Sequence, residues 1–389
     1  MKKILSIVLC LVMLLTSCIL LGSCTTEQND GGKDTKADGT KAPDDTKAPE
    51  NTDGKYEIAI VTDVGQLMDK GFNQGTYEGA QAYAEANGKT YKYYQPANGS
   101  DASDNDRIAA MNQAVNNGAK VIVTPGFLQA TAIETVAKAH PEVKFVFVDG
   151  WAMGLDNVTA IVYKEQESGF LAGYAAVMEG YTKLGYTGGG GGANPACNRF
   201  GYGFVQGAEA AAIEKNVEVA VNYSYKFGDA FSASAELQTQ IAGWYAAGTE
   251  VVFSCGGSMF DSVKSAAAEY DNAKIIGVDV DQSGESDRVI TSAVKGLKTS
   301  VSLVLTQLYN GEWDTKLANQ AQNLGAAEDA TGLPTDTWSM TNFTVEQYNA
   351  LFAKVKAGEI TPKAETPDNA NDGAWIQEGL TKVTVNFEK

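Results

Sequence analysis

Histidine is almost absent from this chain: one residue, His140, stands just before Pro141-Glu142 in a sequence of 389. A single imidazole excludes a histidine pair for a metal and the HExxH motif. A Ser-His-Asp triad would have to use His140, which closes an apparent helix with no nucleophile motif near it. A helix end favours such a cation through the dipole alone. Cysteine is nearly as scarce. Three of the five cysteines lie in the first 24 residues, leaving Cys197 and Cys255. These two cannot build a structural zinc site alone; a disulfide and two free core thiols both remain open. Positive charge is also short: 48 acidic against 30 basic residues give a formal net charge of −18. That balance excludes a nucleic-acid-binding face and an anionic-lipid-binding body. The glycine run Gly188–Gly192 lacks the Gly-Lys-Ser/Thr of a phosphate loop and the GxGxxG of a dinucleotide site, and reads as a mobile connection. Gly201-Tyr-Gly-Phe204 is equally poor as a phosphate cradle. No motif requires a cofactor, and no clustered carboxylates suggest a catalytic metal, so the chain reads as a non-enzyme.

What is present begins at the N-terminus. Lys2 and Lys3 precede an apolar stretch, Ile4 to Leu21, and then Leu21-Gly22-Ser23-Cys24. A basic start, an apolar core and small residues before a cut site read as a secretory signal. The cysteine after them gives residues 1–24 the form of a bacterial lipoprotein signal, with Cys24 as the lipidation site. Cys18, after Leu15-Thr16-Ser17, is a second candidate, but Ile-Leu-Leu follows it, whereas Cys24 opens a polar stretch. An uncleaved span is the alternative, the apolar run being near the ~18-residue threshold. Residues 25–55 hold no large apolar side chain and repeat Asp-Thr-Lys-Ala at 34–37 and 45–48. They cannot bury enough surface to offset the entropy of ordering, and read as a disordered tether. The implied location is extracytoplasmic, with the membrane reached through the N-terminal lipid.

From Tyr56 onward the chain is globular, and about 330 residues suggest two domains. Continuous apolar strands at 57–62, 91–94, 120–126 and 144–149 alternate with helical spacing at 72–87, 104–117 and 129–139. The alternation resumes with helices at 165–179, 201–214, 232–246, 259–270 and 295–309, and strands at 217–223, 250–255 and 274–279, with a short extended piece from Arg288. Apolar strands between helices predict parallel sheets covered on both faces. The fold class is therefore α/β, with two doubly wound lobes and ligand sites at the carboxyl ends of strands. The boundaries expected are 56–163 with 288–330 for the first lobe, and 164–287 with 331–389 for the second.

Those strand ends carry Asp63, Gly126-Phe127, Asp149-Gly150-Trp151, Gly256-Gly257 and Asp279-Val280-Asp281. Carboxylates accept from diols, glycines let backbone approach, and aromatic rings cover a flat apolar face. The set suits a neutral, hydroxyl-rich small molecule. A sugar or an autoinducer-type molecule bound on the same fold is the alternative, with Trp151 or Trp244 stacking on a pyranose.

The run Asp63-Val-Gly-Gln-Leu-Met-Asp-Lys-Gly-Phe-Asn-Gln74 resembles the opening motif of the basic membrane protein family of ABC-transporter substrate-binding lipoproteins. The likeness continues through Gly126-Phe127, Glu167–Tyr174, Asn222-Tyr223, Phe227-Gly-Asp229, Gly277–Gln282 and Thr291–Lys295. It covers residues 56–310 in order. The resemblance implies a type I periplasmic-binding-protein fold: two Rossmann-like lobes joined by three crossovers around a cleft. It also implies a purine nucleoside ligand and ABC permease partners. Carried over by position, Phe72 and Phe227 would sandwich the base, one from each lobe. Asp63 would recognise the base with Asn73 assisting, Asp279 would accept from ribose hydroxyls, and Lys295 would close over the ligand. Gly126, Phe127, Asp149 and Gly257 complete the implied set. The glycine-rich insert at 188–199 is longer than the family pattern, and the segment after Gly311 matches it only loosely, with Trp313, Pro334 and Trp338 suggesting a decorated second-lobe edge.

Overall fold

A computed structural model describes residues 54–62, 64 and 66–389. The signal segment with Cys24, the tether as far as residue 53, and Asp63 lie outside the described residues. The first sheet is built from β1 (Ile58–Val61), β2 (Tyr91–Tyr94), β3 (Val121–Pro125), β4 (Lys144–Val148), β5 (Val158–Tyr163) and β11 (Ala321–Leu324), in the order β11-β5-β4-β3-β1-β2. All its pairings are parallel. Successive residues of each strand enter different cores. Ile58, Ile60, Val121, Val123, Val146 and Val148 join one cluster. Ala59, Val61, Ile122, Phe145 and Phe147 join the other. Both faces are therefore buried, which is why these strands are continuously apolar. Helices α1 (Phe72–Ala86), α2 (Asp104–Asn116), α3 (Ala130–Ala139) and α8 (Leu297–Tyr309) accompany this sheet.

The second sheet holds β6 (Lys183–Gly188), β7 (Val219–Ser224), β8 (Val251–Cys255), β9 (Lys274–Asp279), β10 (Val289–Lys295), β12 (Thr331–Gly332) and β13 (Val383–Glu388), in the order β12-β10-β9-β8-β6-β7-β13. Helices α4 (Glu165–Glu179), α5 (Pro195–Lys215), α6 (Ala235–Ala246), α7 (Met259–Ala268) and α9 (Val345–Lys356) complete the second lobe. The α/β class and the type I arrangement hold. The chain passes between sheets at Lys164, at Gly296 and through residues 325–330. One expected boundary is corrected: the first lobe does not resume at residue 288. β10 pairs parallel with β9, and the chain returns only after Lys295. Trp313, expected at the second-lobe edge, packs in the first-lobe core and donates its indole N–H to Asp156 O at 2.7 Å.

Helices α4 and α5 approach with backbone against backbone. A Cβ at Gly169 would overlap the Phe200 carbonyl, and one at Gly173 that of Phe204. From the other side, Gly203 and Gly207 meet the carbonyls of Gln166 and Phe170. The glycines read above as a poor phosphate cradle are thus packing residues. Cys197 and Cys255 are free buried thiols, with Cys197 Sγ 3.6 Å from Cys255 O. His140 caps α3, and its Nδ1 lies 3.3 Å from Glu142 Oε1.

Candidate functional site

A cavity of about 320 Å³ lies where the carboxyl ends of both sheets converge. That size is within the range of small-molecule sites. Phe72, Asn73, Gly126, Phe127 and Asp149 line it from the first lobe, and Gly257, Asp279 and Lys295 from strand ends of the second.

The floor is a cluster of opposite charges. Lys295, ending β10, places Nζ 2.6 Å from Asp149 Oδ2, 3.4 Å from Glu165 Oε1 and 3.8 Å from Asp279 Oδ1. Arg199 Nε lies 2.6 Å from Glu165 Oε2. Burial works against the Lys295 cation, but the three carboxylates outweigh it and hold its pKa well above the usual range. Burial likewise opposes ionisation of Glu165, yet Arg199 and Lys295 hold its pKa below the usual value. Asp279 goes the other way. Burial and the charges of Asp149, Asp69 and Glu165 push it up to about 7, despite Lys295. Asp149 and Asp279 each turn the chain in the left-handed region, at φ 58° and 67°. Asp149 Oδ1 is buried with no hydrogen-bond partner among the described residues. Lys295 also stands 4.9 Å from the centre of the Phe72 ring and 5.5 Å from that of Phe200. Such placement suits a cation–π contact.

Asp69 is a cavity-lining residue that the sequence reading passed over. It is buried, lines the cavity, and accepts the N–H groups of Gly71, Asn73 and Gln74 at 2.9, 3.0 and 3.1 Å. It thereby caps α1 with a carboxylate, as helix N-termini favour. Burial raises its pKa to about 6 against those hydrogen bonds. Asn73 turns its amide onto Val64 O and Gln66 O, at 2.9 and 3.3 Å, and so holds the β1–α1 loop.

Phe227 is not among the lining residues. It sits in the left-handed region at φ 63°, 38% exposed, with Lys226 Nζ over its ring. The cavity aromatic of that loop is Phe231. A turn explains the displacement: Gly228 N donates to Tyr225 O, and Gly228 O accepts from Phe231 N and Gly190 N. Phe231 then lies against Gly189 and Gly190, where any Cβ would crowd its ring. The glycine run is therefore a shelf for an aromatic ring rather than a connection; Gly188 itself is the last residue of β6. Trp151 lines the cavity at 47% exposure, packed edge-on against Phe147. Trp244 is buried in the second lobe and donates to Glu388.

The chain can be set beside known proteins. Residues 56–365 match the family described as ABC transporter substrate-binding protein, PnrA-like. The ABC transporter nucleoside-binding protein BmpA of Lactococcus lactis is 31% identical over 288 residues, which are 67% of this chain and 78% of that protein. An uncharacterized lipoprotein of Pyrococcus horikoshii is 28% identical over 80% of this chain and 74% of its own. Among solved structures, the ABC transporter solute-binding protein of Aeropyrum pernix superposes with a TM-score of 0.70 at 22% identity, covering 83% of this chain and 97% of that one.

Proposed function

Because the chain belongs to the PnrA-like (Bmp) family of ABC transporter substrate-binding proteins, we propose that it captures a purine nucleoside between its lobes and hands it to an ABC permease. The family is one of solute-binding proteins, not of enzymes. The observation that carries the ligand is the pairing of Phe72 from the first lobe with Phe231 from the second in one cavity that also holds Asp69, Asp149 and Asp279. A purine has two π faces, and stacking contributes about 1–3 kcal/mol per base. Carboxylates accept from ring N–H groups and from ribose hydroxyls, and a deoxy analogue would leave a buried acceptor without its donor. With one ring on each lobe, the ligand favours closure. A lipid on Cys24 would hold the protein at the outer membrane surface; among the described residues no helix is long and apolar enough to cross a membrane.

Trp151 supports a second reading, in which its exposed face stacks on a pyranose. Isothermal titration of the full chain with guanosine, inosine and adenosine, and in parallel with pentoses and hexoses, separates the two. Heat with nucleosides and none with sugars is the expected result. Response to sugars alone would replace the nucleoside.

A further inference from the structure

The β1–α1 loop carries a cation outside the cavity. Lys70 belongs to the first lobe, but its Nζ lies 2.8 Å from Glu285 Oε2 and 3.5 Å from Asp261 Oδ1, both on the second. Lys264 joins the same two carboxylates at 3.9 and 3.4 Å. The backbone of Lys70 crosses the gap as well: its carbonyl accepts from Gln282 Nε2 at 2.8 Å.

Gln282 is oriented for that bond by groups of its own lobe. It is 1% exposed, its Oε1 accepts from Val278 N at 3.0 Å, and its own N–H donates to Ser292 Oγ at 3.0 Å. With Oε1 committed to an N–H, the amide cannot flip without setting donor against donor, so Nε2 faces the first lobe. Lys70 is also fixed on its own side. Its N–H donates to Gln74 Oε1 at 3.1 Å, and its neighbour Asp69 holds the turn through three N–H groups. Asp69 lines the cavity. The turn that meets ligand on one side therefore meets Gln282 on the other.

We infer that Lys70 and Gln282 form an interlobe clasp that sets how long the closed state holds its ligand, without either residue touching that ligand. This inference rests on reading the cavity as a capture site. Opening separates Lys70 from both carboxylates and strips a buried donor of its acceptor. The ion pairs are about one-third exposed, so the network shifts the closed–open balance by about three- to tenfold rather than by orders of magnitude. The contacts exist only after closure, so their loss acts on dissociation and leaves association nearly unchanged.

The test uses the full chain with nitroxides on Glu134→Cys in α3 and Glu236→Cys in α6, one exposed position per lobe. Cys10, Cys18 and Cys24 are replaced by serine throughout, and the chain so altered, whose remaining Cys197 and Cys255 are buried, is the labelling blank. Pulsed-dipolar distances report closure without reference to any ligand, and stopped-flow with guanosine gives both rate constants. Lys70→Met is expected to enlarge the open population and speed guanosine release about three- to tenfold. Lys70→Arg should restore both, and Glu285→Gln should add little once Lys70 is gone. Raising the salt to about 0.5 M should mimic Lys70→Met in the parent and leave the variant unmoved. Unchanged distances and unchanged release in Lys70→Met, or an Arg variant as impaired as Met, overturns the clasp. Failure of every nucleoside to bind overturns the nucleoside reading instead, and the clasp is then decided by the distance distributions alone.

Discussion

Phe227 and Phe231 are four residues apart in one loop, and only the second reaches the cavity. Phe231→Ala should weaken nucleoside binding by about 5- to 150-fold, the equivalent of one stacked base. Phe227→Ala should change it by less than about twofold, since surface substitutions away from a site are small; titration calorimetry reads both. The sequence could not choose between them, because both sit at positive φ in a loop with no period to follow. A signal was available in the glycine run, whose missing side chains make room for a ring, but nothing local ties residues 188–190 to 231. Asp279 makes a second prediction. Its pKa of about 7, with Asp69 at about 6, places two titrations near neutrality. A hydroxyl donor needs the ionised carboxylate, so nucleoside affinity should rise as pH goes from about 6 to 8, by up to roughly tenfold per unit per group. Binding should release protons, seen as buffer-dependent enthalpy, and Asp279→Asn should remove most of that dependence. The ligand-free fold follows the opposite sign. Both folded pKa values are raised above the ordinary aspartate value of 3.8, so the contribution of these groups to stability is present at low pH and falls as pH rises through about 4 to 7.

At the scale of elements, two glycines in helix interiors have opposite roles. Gly173 of α4 lies against the Phe204 carbonyl, whereas a Cβ at Gly243 of α6 would meet nothing within 4 Å. Gly173→Val should cost about 1–3 kcal/mol by forcing α4 from α5. Gly243→Ala should stabilise by about 0.5–1 kcal/mol through helix propensity alone. Urea denaturation of the two variants checks the pair, and equal effects would mean that α4 and α5 do not depend on close approach. The strands legible in the sequence were those buried on both faces, such as Ile58–Val61 and Lys144–Val148. β6 escaped because Leu-Gly-Tyr-Thr-Gly carries glycines that β-propensity disfavours; Gly185 is required there by Trp244 and Val252 packed against it. β13 escaped because its partner β7 is about 164 residues away, and its docking depends on Glu209 accepting the N–H groups of Thr381, Lys382 and Val383. β10 was seen as extended, but no property of a single strand says which sheet it joins. Its pairing with β9 decides that.

At the scale of the whole molecule, the three crossings between the lobes meet at the first turn of α4. Glu165 reaches Lys295 at the second crossing. Glu167 Oε2 accepts from Ala326 N and Thr331 Oγ1 at the third, at 2.6 and 2.8 Å. Ser168 Oγ donates to Val294 O and accepts from Gly332 N, at 2.7 and 2.9 Å. Lys295, like Arg199, belongs both to the cavity lining and to this knot, and its side chain is 2% exposed. Lys295→Met keeps most of the aliphatic volume and removes the charge. Asp149, Glu165 and Asp279 then face one another with Arg199 as the cation of the cluster. Removing one member of a buried ion cluster costs about 3–5 kcal/mol, because the others stay buried and uncompensated. The cost must depend on pH in a definite direction. Without Lys295 the carboxylates are relieved by taking up protons, so the gap between variant and parent should be widest near pH 8 and narrow toward pH 5. Urea midpoints across that range measure it, and guanosine binding should be lost in the variant throughout. A gap that stays constant with pH would mean that Lys295 holds the crossings through its cation over the rings of Phe72, Tyr163 and Phe200 rather than through the three carboxylates.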